Sequence, residues 1–174
     1  MTPTGADRSA FRRLMGRWPT GVSVVTSRSA EGDVGLTVNA FLSVSLEPPQ
    51  VLISLTHDAD TTPVVERERR FAVNLLAYDQ RAVSERFALA LPPPEKFRGV
   101  AVDRSPAGLP LLPNTLGSLE CHLTARLPVA DHLLLVGEVV DQRFGRDVAP
   151  LLFYRSGYAE LEAPDRLRLP APTP

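Results

Sequence analysis

Apolar and polar residues alternate along much of the chain with the period of two that a β-strand imposes on its side chains. The clearest example lies between residues 119 and 127, where Glu120, His122, Thr124 and Arg126 separate apolar residues. This pattern predicts a half-buried strand with one wet face. Shorter runs predict further strands at 22–27, from 34 onward, and at 41–46, 50–56, 71–76, 132–140, 151–154 and 157–161.

Three segments instead show helix signals. The apolar residues between 11 and 18 follow the i, i+3, i+4, i+7 spacing of one helix face, and Ser9 is the expected N-cap. Thr62, followed by a proline, predicts the N-cap of a second helix. Asp79 is expected to cap a third helix that ends near Phe87. The stretch 89–113 is rich in proline and glycine and predicts a long surface loop around a short turn at 95–98.

These elements, about eight strands and two or three helices without a regular βαβ alternation, predict a mainly β fold. The expected architecture is an antiparallel β-barrel with peripheral helices. With 174 residues, 44% of them hydrophobic, the chain is expected to form one domain at 9–162. Residues 1–8 and 163–174 are expected to be flexible termini.

Composition argues against several partners and locations. The net charge of −1 and the pI of about 6.3 give no indication of nucleic acid or an anionic membrane surface as a partner. No run approaches the roughly 20 apolar residues of a membrane span, and the N-terminus lacks a signal-peptide core. The single cysteine, Cys121, permits no internal disulfide. A reducing, cytoplasmic location is therefore expected.

Local motifs point away from several common chemistries. No glycine-rich dinucleotide fingerprint follows a strand, and no P-loop or GxSxG signature is present. The three histidines and the cysteine are scattered, so no metal site is predicted. These observations favour chemistry carried by a bound organic cofactor.

The stretch 35–55, GLTVNAFLSVSLEPPQVLISL, is the most informative part of the chain. Thr37, Asn39, Ser43 and Ser45 lie among apolar strand residues, and each would cost roughly 1–3 kcal/mol if it were buried without a partner. A flat, polar ligand lying against this surface would account for them.

Five segments, in order, resemble the flavin reductase-like family, whose fold is the FMN-binding split barrel. They are 11–26 (FRRLMGRWPTGVSVVT), 35–55, 71–88, 130–139 and 150–158. The resemblance implies an NAD(P)H:flavin oxidoreductase that transfers hydride from NADH, or NADPH, to FAD or FMN. It also implies a homodimer and a separate oxygenase that receives the reduced flavin. No arginine cluster is evident in the sequence to mark a 2′-phosphate site, which favours NADH.

The resemblance also implies roles for individual residues. Thr37, Val38, Asn39 and Ala40 would run along the isoalloxazine ring, with backbone groups bonding its pyrimidine edge. The ribityl chain and phosphate would lie near Ser54, Leu55, Thr56, Thr61 and Thr62.

His132, which follows Asp131, would place the nicotinamide and is the predicted catalytic residue. Phe87, Tyr154 and Tyr158 would border the cofactor cleft.

Each of these roles has a simpler alternative. Thr62 could serve only as a helix cap, and Phe87 could simply pack in the core. The two tyrosines could make core or dimer contacts, and His132 could be a half-exposed histidine at a turn. The loop before Thr61 carries Asp58 and Asp60, which would repel a phosphate. Arg86 is a candidate donor from another segment or an ordinary solvated arginine, and Asn74 is expected to make structural hydrogen bonds.

Two other functions remain open on the sequence. The first is a flavin-binding protein that carries the cofactor without turnover. The second is a one-component flavoenzyme, which would be favoured by a substrate pocket extending into residues 89–113.

Overall fold

The computed structural model describes residues 5–161. Its helices are α1 (Arg8–Met15), α2 (Thr61–Glu68), α3 (Arg81–Ala88) and α4 (Pro93–Phe97). Its strands are β1 (Thr20–Gly21), β2 (Ser23–Ser29), β3 (Gly32–Val38), β4 (Phe41–Leu46), β5 (Pro49–Thr56), β6 (Arg70–Leu75), β7 (Asp103–Arg104), β8 (Pro110–Leu111), β9 (Gly117–Val129), β10 (His132–Phe144), β11 (Leu152–Tyr154) and β12 (Gly157–Ala159).

Seven strands form one antiparallel sheet in the order β3-β2-β6-β9-β10-β5-β4. The sheet curls until its two edge strands approach, because β3 at one edge runs directly into β4 at the other through Asn39 and Ala40. The Ser54 amide donates to the Ala40 carbonyl at 3.1 Å, which extends the β4–β5 pairing by one residue. A smaller sheet of β1, β11 and β12 and the β7–β8 hairpin flank it. The prediction of a mainly β fold with antiparallel strands and peripheral helices is confirmed.

Two apolar clusters stabilise this arrangement. The first fills the inside of the curled sheet with alternate residues of its strands and includes Ile53, Phe71 and Leu135. The second lies outside the sheet and includes Val24 and Phe87. Because side chains alternate along a strand, neighbouring residues of β2 serve different clusters.

Asn74 joins strands from inside the sheet, as expected for a structural amide. Its Nδ2 donates to the Val24 carbonyl at 3.0 Å and to Thr26 Oγ1 at 3.2 Å. Its Oδ1 accepts from the Leu112 amide at 2.8 Å and from Ser118 Oγ at 3.3 Å. The side chain thus uses all of its usual hydrogen-bonding capacity within the protein.

The expected helix caps were wrong. Asp7, rather than Ser9, accepts the first free amides of α1. The N-cap of α2 is Asp60, which places Thr62 inside the helix. The N-cap of α3 is Gln80, and Asp79 instead forms an ion pair with Arg146 at 2.8 Å.

Several boundaries also differ from expectation. Strand β9 begins at Gly117 and β10 continues to Phe144, so the hairpin is longer than predicted. The stretch 89–113 contains α4 and the β7–β8 hairpin as well as loop. The domain limits stay a prediction: α1 begins within the expected flexible segment 1–8, and residues 1–4 and 163–174 lie outside the described residues.

Candidate functional site

The site is built around the seam where β3 and β5 meet. Strand β3 ends at Val38, whose side chain packs into the inner core, and the next two residues, Asn39 and Ala40, are exposed. The Ala40 carbonyl accepts the Ser54 amide, which brings the strand end predicted to carry a ring beside the strand predicted to carry a phosphate. Leu55 faces the core, so only its backbone can reach a ligand at this seam.

The outer face of β5 and β10 places three predicted residues together. Thr56 is opposite His132 in the strand register, and Ser54 is opposite Leu134. All four are half-buried, whereas the intervening Leu55 is buried. Directly opposed residues on one face have Cβ atoms about 4.5–5.5 Å apart, so His132 and Thr56 are close neighbours.

The N-terminal end of α2 lies next to this face. Thr62 Oγ1 donates to the Thr56 carbonyl at 2.7 Å, which ties the helix to the end of β5. Thr61 and Thr62 are each 2% exposed. The free amides of a helix N-terminus favour an anion, but Asp58 and Asp60 are both exposed in the preceding loop. Asp58 and Asp60 are therefore still expected to repel a phosphate at the N-terminal end of α2.

Asp131 holds the predicted catalytic histidine. Its Oδ1 lies 2.8 Å from His132 Nδ1, and this hydrogen bond lowers the pKa of Asp131 below its usual value. The His57 amide donates to the Asp131 carbonyl at 3.2 Å, so the loop before α2 is attached to the same turn. A carboxylate on one ring nitrogen fixes the orientation of the imidazole and leaves the other nitrogen for a ligand.

Tyr158 is connected through α3 to β3, the strand whose end is predicted to lie along the flavin ring. The Thr37 hydroxyl donates to the Ser84 carbonyl at 2.7 Å, and the Tyr158 hydroxyl donates to Ser84 Oγ at 2.9 Å. Thr37 therefore points toward α3, on the outer side of β3. Ser84 was not predicted as a site residue, because it lies within α3 and belongs to no motif that marks a binding residue.

Two aromatic predictions need correction or relocation. Phe87 is fully buried in the outer core and stacks edge-on against Phe97 at 5.0 Å, so its ring presents no surface to a ligand. Core packing, the alternative weighed for it, accounts for the residue. Tyr154 lies under the guanidinium of Arg155, 5.2 Å from ring centre to Cζ, at the turn between β11 and β12.

Two polar residues near the seam also have local roles. Ser45 Oγ accepts the Glu47 amide at 3.2 Å, so this hydroxyl belongs to the turn after β4. Arg86 donates to the carbonyls of Glu95, Lys96 and Arg98 and closes the end of α4. Its guanidinium is thus committed to the backbone and is neither a phosphate ligand nor a solvated group.

Lys96, the single lysine of the chain, is buried next to β3. Its Nζ donates to the carbonyls of Gly35 and Phe87, at 3.3 Å in both cases. Burial lowers the pKa of this ammonium, and the nearby charge of Asp60 partly opposes that shift. A side chain at Gly35 would meet the Phe87 ring at 2.8 Å, so the strand is held closely against α3 and α4.

Two grooves flank the N-terminal segment. An apolar groove of about 420 Å³ is lined by Trp18, Thr20, Asn39 and Phe41, among others. An arginine groove of about 570 Å³ lies between α1 and the β11–β12 turn. Its lining consists of Ser9, Arg12, Arg13, Gly16, Arg17, Arg155 and Ser156. This cluster could not be predicted from the sequence, because its members lie at opposite ends of the chain.

Within residues 5–161, no group of three or more histidine, cysteine, aspartate or glutamate residues could hold a metal ion. No helix in the same range is long and apolar enough to cross a bilayer.

Comparison with known proteins identifies the family. The family model described as "Flavin reductase like domain" matches residues 15–162. The chain is 37% identical to the FMN reductase (NADH) SmoA of Agrobacterium fabrum over 151 residues, which cover 87% of this chain and 84% of that protein. It is 36% identical to the reductase component of 4-hydroxyphenylacetate 3-monooxygenase from Thermus thermophilus over 157 residues, covering 90% and 99% of the two chains.

A solved structure extends the likeness to three dimensions. The NADH:FAD oxidoreductase SgcE6 of Streptomyces globisporus, in complex with NAD and FAD fragments, superposes with a TM-score of 0.84 at 32% identity. The match covers 92% of this chain and 95% of that one. The resemblance inferred from five sequence segments is confirmed, and the chain belongs to the flavin reductase-like family.

Proposed function

We propose that this protein is an NADH-dependent flavin reductase that transfers hydride to FMN or FAD and supplies the reduced flavin to a separate monooxygenase. The observation that carries the proposal is the seam itself. There an exposed strand end at Asn39 and Ala40 meets the strand that holds Thr56 opposite His132. Family membership and the names of the relatives support the same activity.

The residues at the seam fit a flat ring with a phosphate-bearing tail. Asn39 and Ala40 are exposed residues, and the Asn39 side-chain amide offers a donor and an acceptor to a polar ring edge. Ser54 and Thr56 continue along one face toward the amides that begin α2. Bound flavin and NADH would supply the hydride chemistry, so the protein has to bind, orient and exclude water.

His132 is proposed to orient the nicotinamide. In the neutral form whose Nδ1–H donates to Asp131, Nε2 is an acceptor. An acceptor at that position suits the amide hydrogens of a nicotinamide carboxamide. The role is therefore one of positioning through a hydrogen bond.

The activity is tested by mixing the purified protein with NADH, air and free FMN or FAD and following the loss of NADH. No acceleration over the protein-free mixture would overturn the proposal. The His132→Ala variant is expected to raise the KM for NADH more than the KM for flavin. His122→Ala, an exposed histidine on β9, serves as the control and should change neither constant.

A second candidate function has one observation in its favour. A groove of about 750 Å³ is bordered by Pro93, Pro94 and Phe97 of α4 and by Asp60. It therefore extends into the stretch 89–113, as a one-component flavoenzyme with its own organic substrate would require. Tight yellow colour that survives dialysis, with no stimulation by added flavin, would favour that function or a non-turnover flavin carrier.

We also propose that the protein is a homodimer with a split-barrel sheet. Helix α1 has no buried residue, and its Phe11 and Leu14, together with Trp18 just after the helix, are exposed, the last two by 62% and 69%. A second copy of the chain is the proposed cover for this side. Light scattering should give twice the chain mass, and Leu14→Glu should shift the protein toward monomer.

A reducing, cytoplasmic location is proposed because the single cysteine, Cys121, permits no internal disulfide. Its thiol is buried, and burial raises its pKa to about 12. Cell fractionation tests the location directly.

A further inference from the structure

The arginine groove between α1 and the β11–β12 turn concentrates positive charge that no carboxylate within residues 5–161 pairs with. Arg12, Arg13 and Arg17 follow one another along α1 and its end, and Arg155 faces them from the turn. The whole chain has a net charge of −1, so this density is local. All four arginines are exposed.

Seven other arginines of the described chain are paired with carboxylates. Among residues 5–161 the ion pairs to carboxylates are made by a different set: Arg28, Arg67, Arg81, Arg104, Arg126, Arg143 and Arg146. Within the same range, none of the four groove arginines makes such a pair. Like charges held together without a counter-ion repel one another, so an anion entering this groove would gain from several guanidinium groups at once.

The groove has a fixed shape. The Arg155 amide donates to the Gly16 carbonyl at 2.7 Å, which fastens the turn to the end of α1. Arg155 and Ser156 both adopt left-handed backbone angles, with φ of 50° and 62°. Ser9 Oγ accepts from the Arg13 guanidinium at 3.2 Å and donates to Asp7 Oδ2 at 2.8 Å, so it positions Arg13. Planar guanidinium groups in such an arrangement match the oxygen atoms of a phosphate ester.

The groove and the proposed nicotinamide site both adjoin the first turn of α1. Ser9 lines the groove, and its neighbour Arg8, the first residue of the helix, adds to the lowering of the Asp131 pKa, an effect dominated by the hydrogen bond from His132. The charge of Arg8 therefore acts on the turn that holds His132.

We propose that the arginine groove binds the diphosphate of the nicotinamide dinucleotide, with Arg12 and Arg155 as its principal ligands. This inference rests on the proposed function, because it assigns one part of the same substrate. The flavin phosphate remains assigned to the α2 end of the seam.

The test uses ADP-ribose, which carries the diphosphate but no nicotinamide ring. Its binding is measured by calorimetry on the full-length protein and on Arg12→Gln, Arg155→Gln and the double variant. Loss of two charge-assisted contacts is expected to weaken ADP-ribose binding about tenfold or more in the double variant. The salt dependence of binding should become shallower by the same substitutions, because fewer counter-ions are exchanged.

The control is Arg28→Gln, which removes the same charge from the β2–β3 hairpin and should leave ADP-ribose binding unchanged. Riboflavin, FMN and FAD distinguish the two phosphate sources. Weaker FMN and FAD binding with unchanged ADP-ribose binding would overturn the inference in favour of a flavin phosphate. Unchanged binding of all these ligands would overturn it as well.

Failure of the inference and failure of the function are separable. If the wild-type protein does not accelerate NADH oxidation, the reductase proposal fails, whereas the calorimetric comparison still decides whether the groove binds a diphosphate. If the wild type is active and the double variant binds ADP-ribose as tightly as the control, only the inference fails.

Discussion

Two asparagines differ in what their side-chain amides do: one is used by the fold itself, and the other is open to a ligand. Asn74 is fully buried and makes four hydrogen bonds to neighbouring strands and loops. Asn39 is exposed at the end of β3, and its amide makes no hydrogen bond within residues 5–161. A buried amide must be satisfied by the fold, whereas an exposed amide at a strand end is free to serve a ligand. The two sites are expected to respond to substitution in opposite ways.

Asn74→Leu should have the largest effect, and it should be on stability. The substitution leaves the Leu112 amide and the Ser118 hydroxyl without their acceptor in the core. Each unsatisfied buried group costs about 1–3 kcal/mol, so the free energy of unfolding should fall by about 3 kcal/mol. Urea unfolding measures this loss. A stability loss below about 1 kcal/mol would show that the network is dispensable.

Asn39→Ala should leave stability unchanged and weaken flavin binding about tenfold, the equivalent of about 1.4 kcal/mol. Quenching of flavin fluorescence gives the dissociation constant. Ser45→Ala is the matched control from the neighbouring strand, because that hydroxyl serves only the Glu47 amide. Equal flavin affinity in wild type and Asn39→Ala would place Asn39 outside the site.

The sequence anticipated the parts of the molecule that depend on local pattern. Alternation predicted the position of β9, and the amide in a central strand predicted the role of Asn74, because burial and period are visible in a single segment. Helix caps were misplaced by one or two residues, since Asp7 competes with Ser9 for the same amides. Strand β1 was not predicted, because two residues carry no period and exist as a strand only through pairing with β11.

For the site, the sequence predicted individual residues but not how the fold brings them together. Ser54, Thr56 and His132 were chosen by resemblance, but their common face follows from the register of β5 with β10. Phe87 was misassigned because an aromatic side chain on an amphipathic helix looks the same whether it faces a core or a cofactor. The arginine groove depends on the Gly16–Arg155 contact, which joins residues that are remote in the chain.

Lys96 is an intermediate case between the two asparagines, because it is buried yet uses only two of its three N–H groups. Lys96→Met should lower the free energy of unfolding by about 1 kcal/mol at neutral pH through the lost hydrogen bonds. Lys96→Arg, a longer cation, should not restore this loss in so closely packed a position.

The pH dependence gives Lys96 a second readout. Burial lowers its pKa from the usual 10.5, so above the folded-state pKa the unfolded chain binds more protons than the folded protein. Wild-type stability should therefore rise relative to Lys96→Met as the pH increases toward 10.5. Parallel curves for the two proteins would contradict a buried ammonium.

Thr20→Val should have the smallest effect, and it should be stabilising. Thr20 Oγ1 is the one buried side-chain polar atom within residues 5–161 that has no hydrogen-bond partner. Valine keeps the branched shape that suits β1 and removes the unsatisfied hydroxyl, so the free energy of unfolding should rise by about 0.5–1 kcal/mol. The gain should appear as a higher urea midpoint with an unchanged m-value.

Thr20→Ser is the control for Thr20→Val, because it keeps the hydroxyl and loses only a methyl group, and it should be slightly less stable than wild type. Thr20 also lines the apolar groove beside Asn39, so flavin binding is measured on both variants. Loss of flavin affinity in Thr20→Val but not in Thr20→Ser would mean that the hydroxyl finds its partner in the bound ligand. In that case Thr20, like Asn39, is a polar group that the fold leaves without a partner and that a ligand satisfies. The contrast with Asn74 then also holds for the β1–β11 pair.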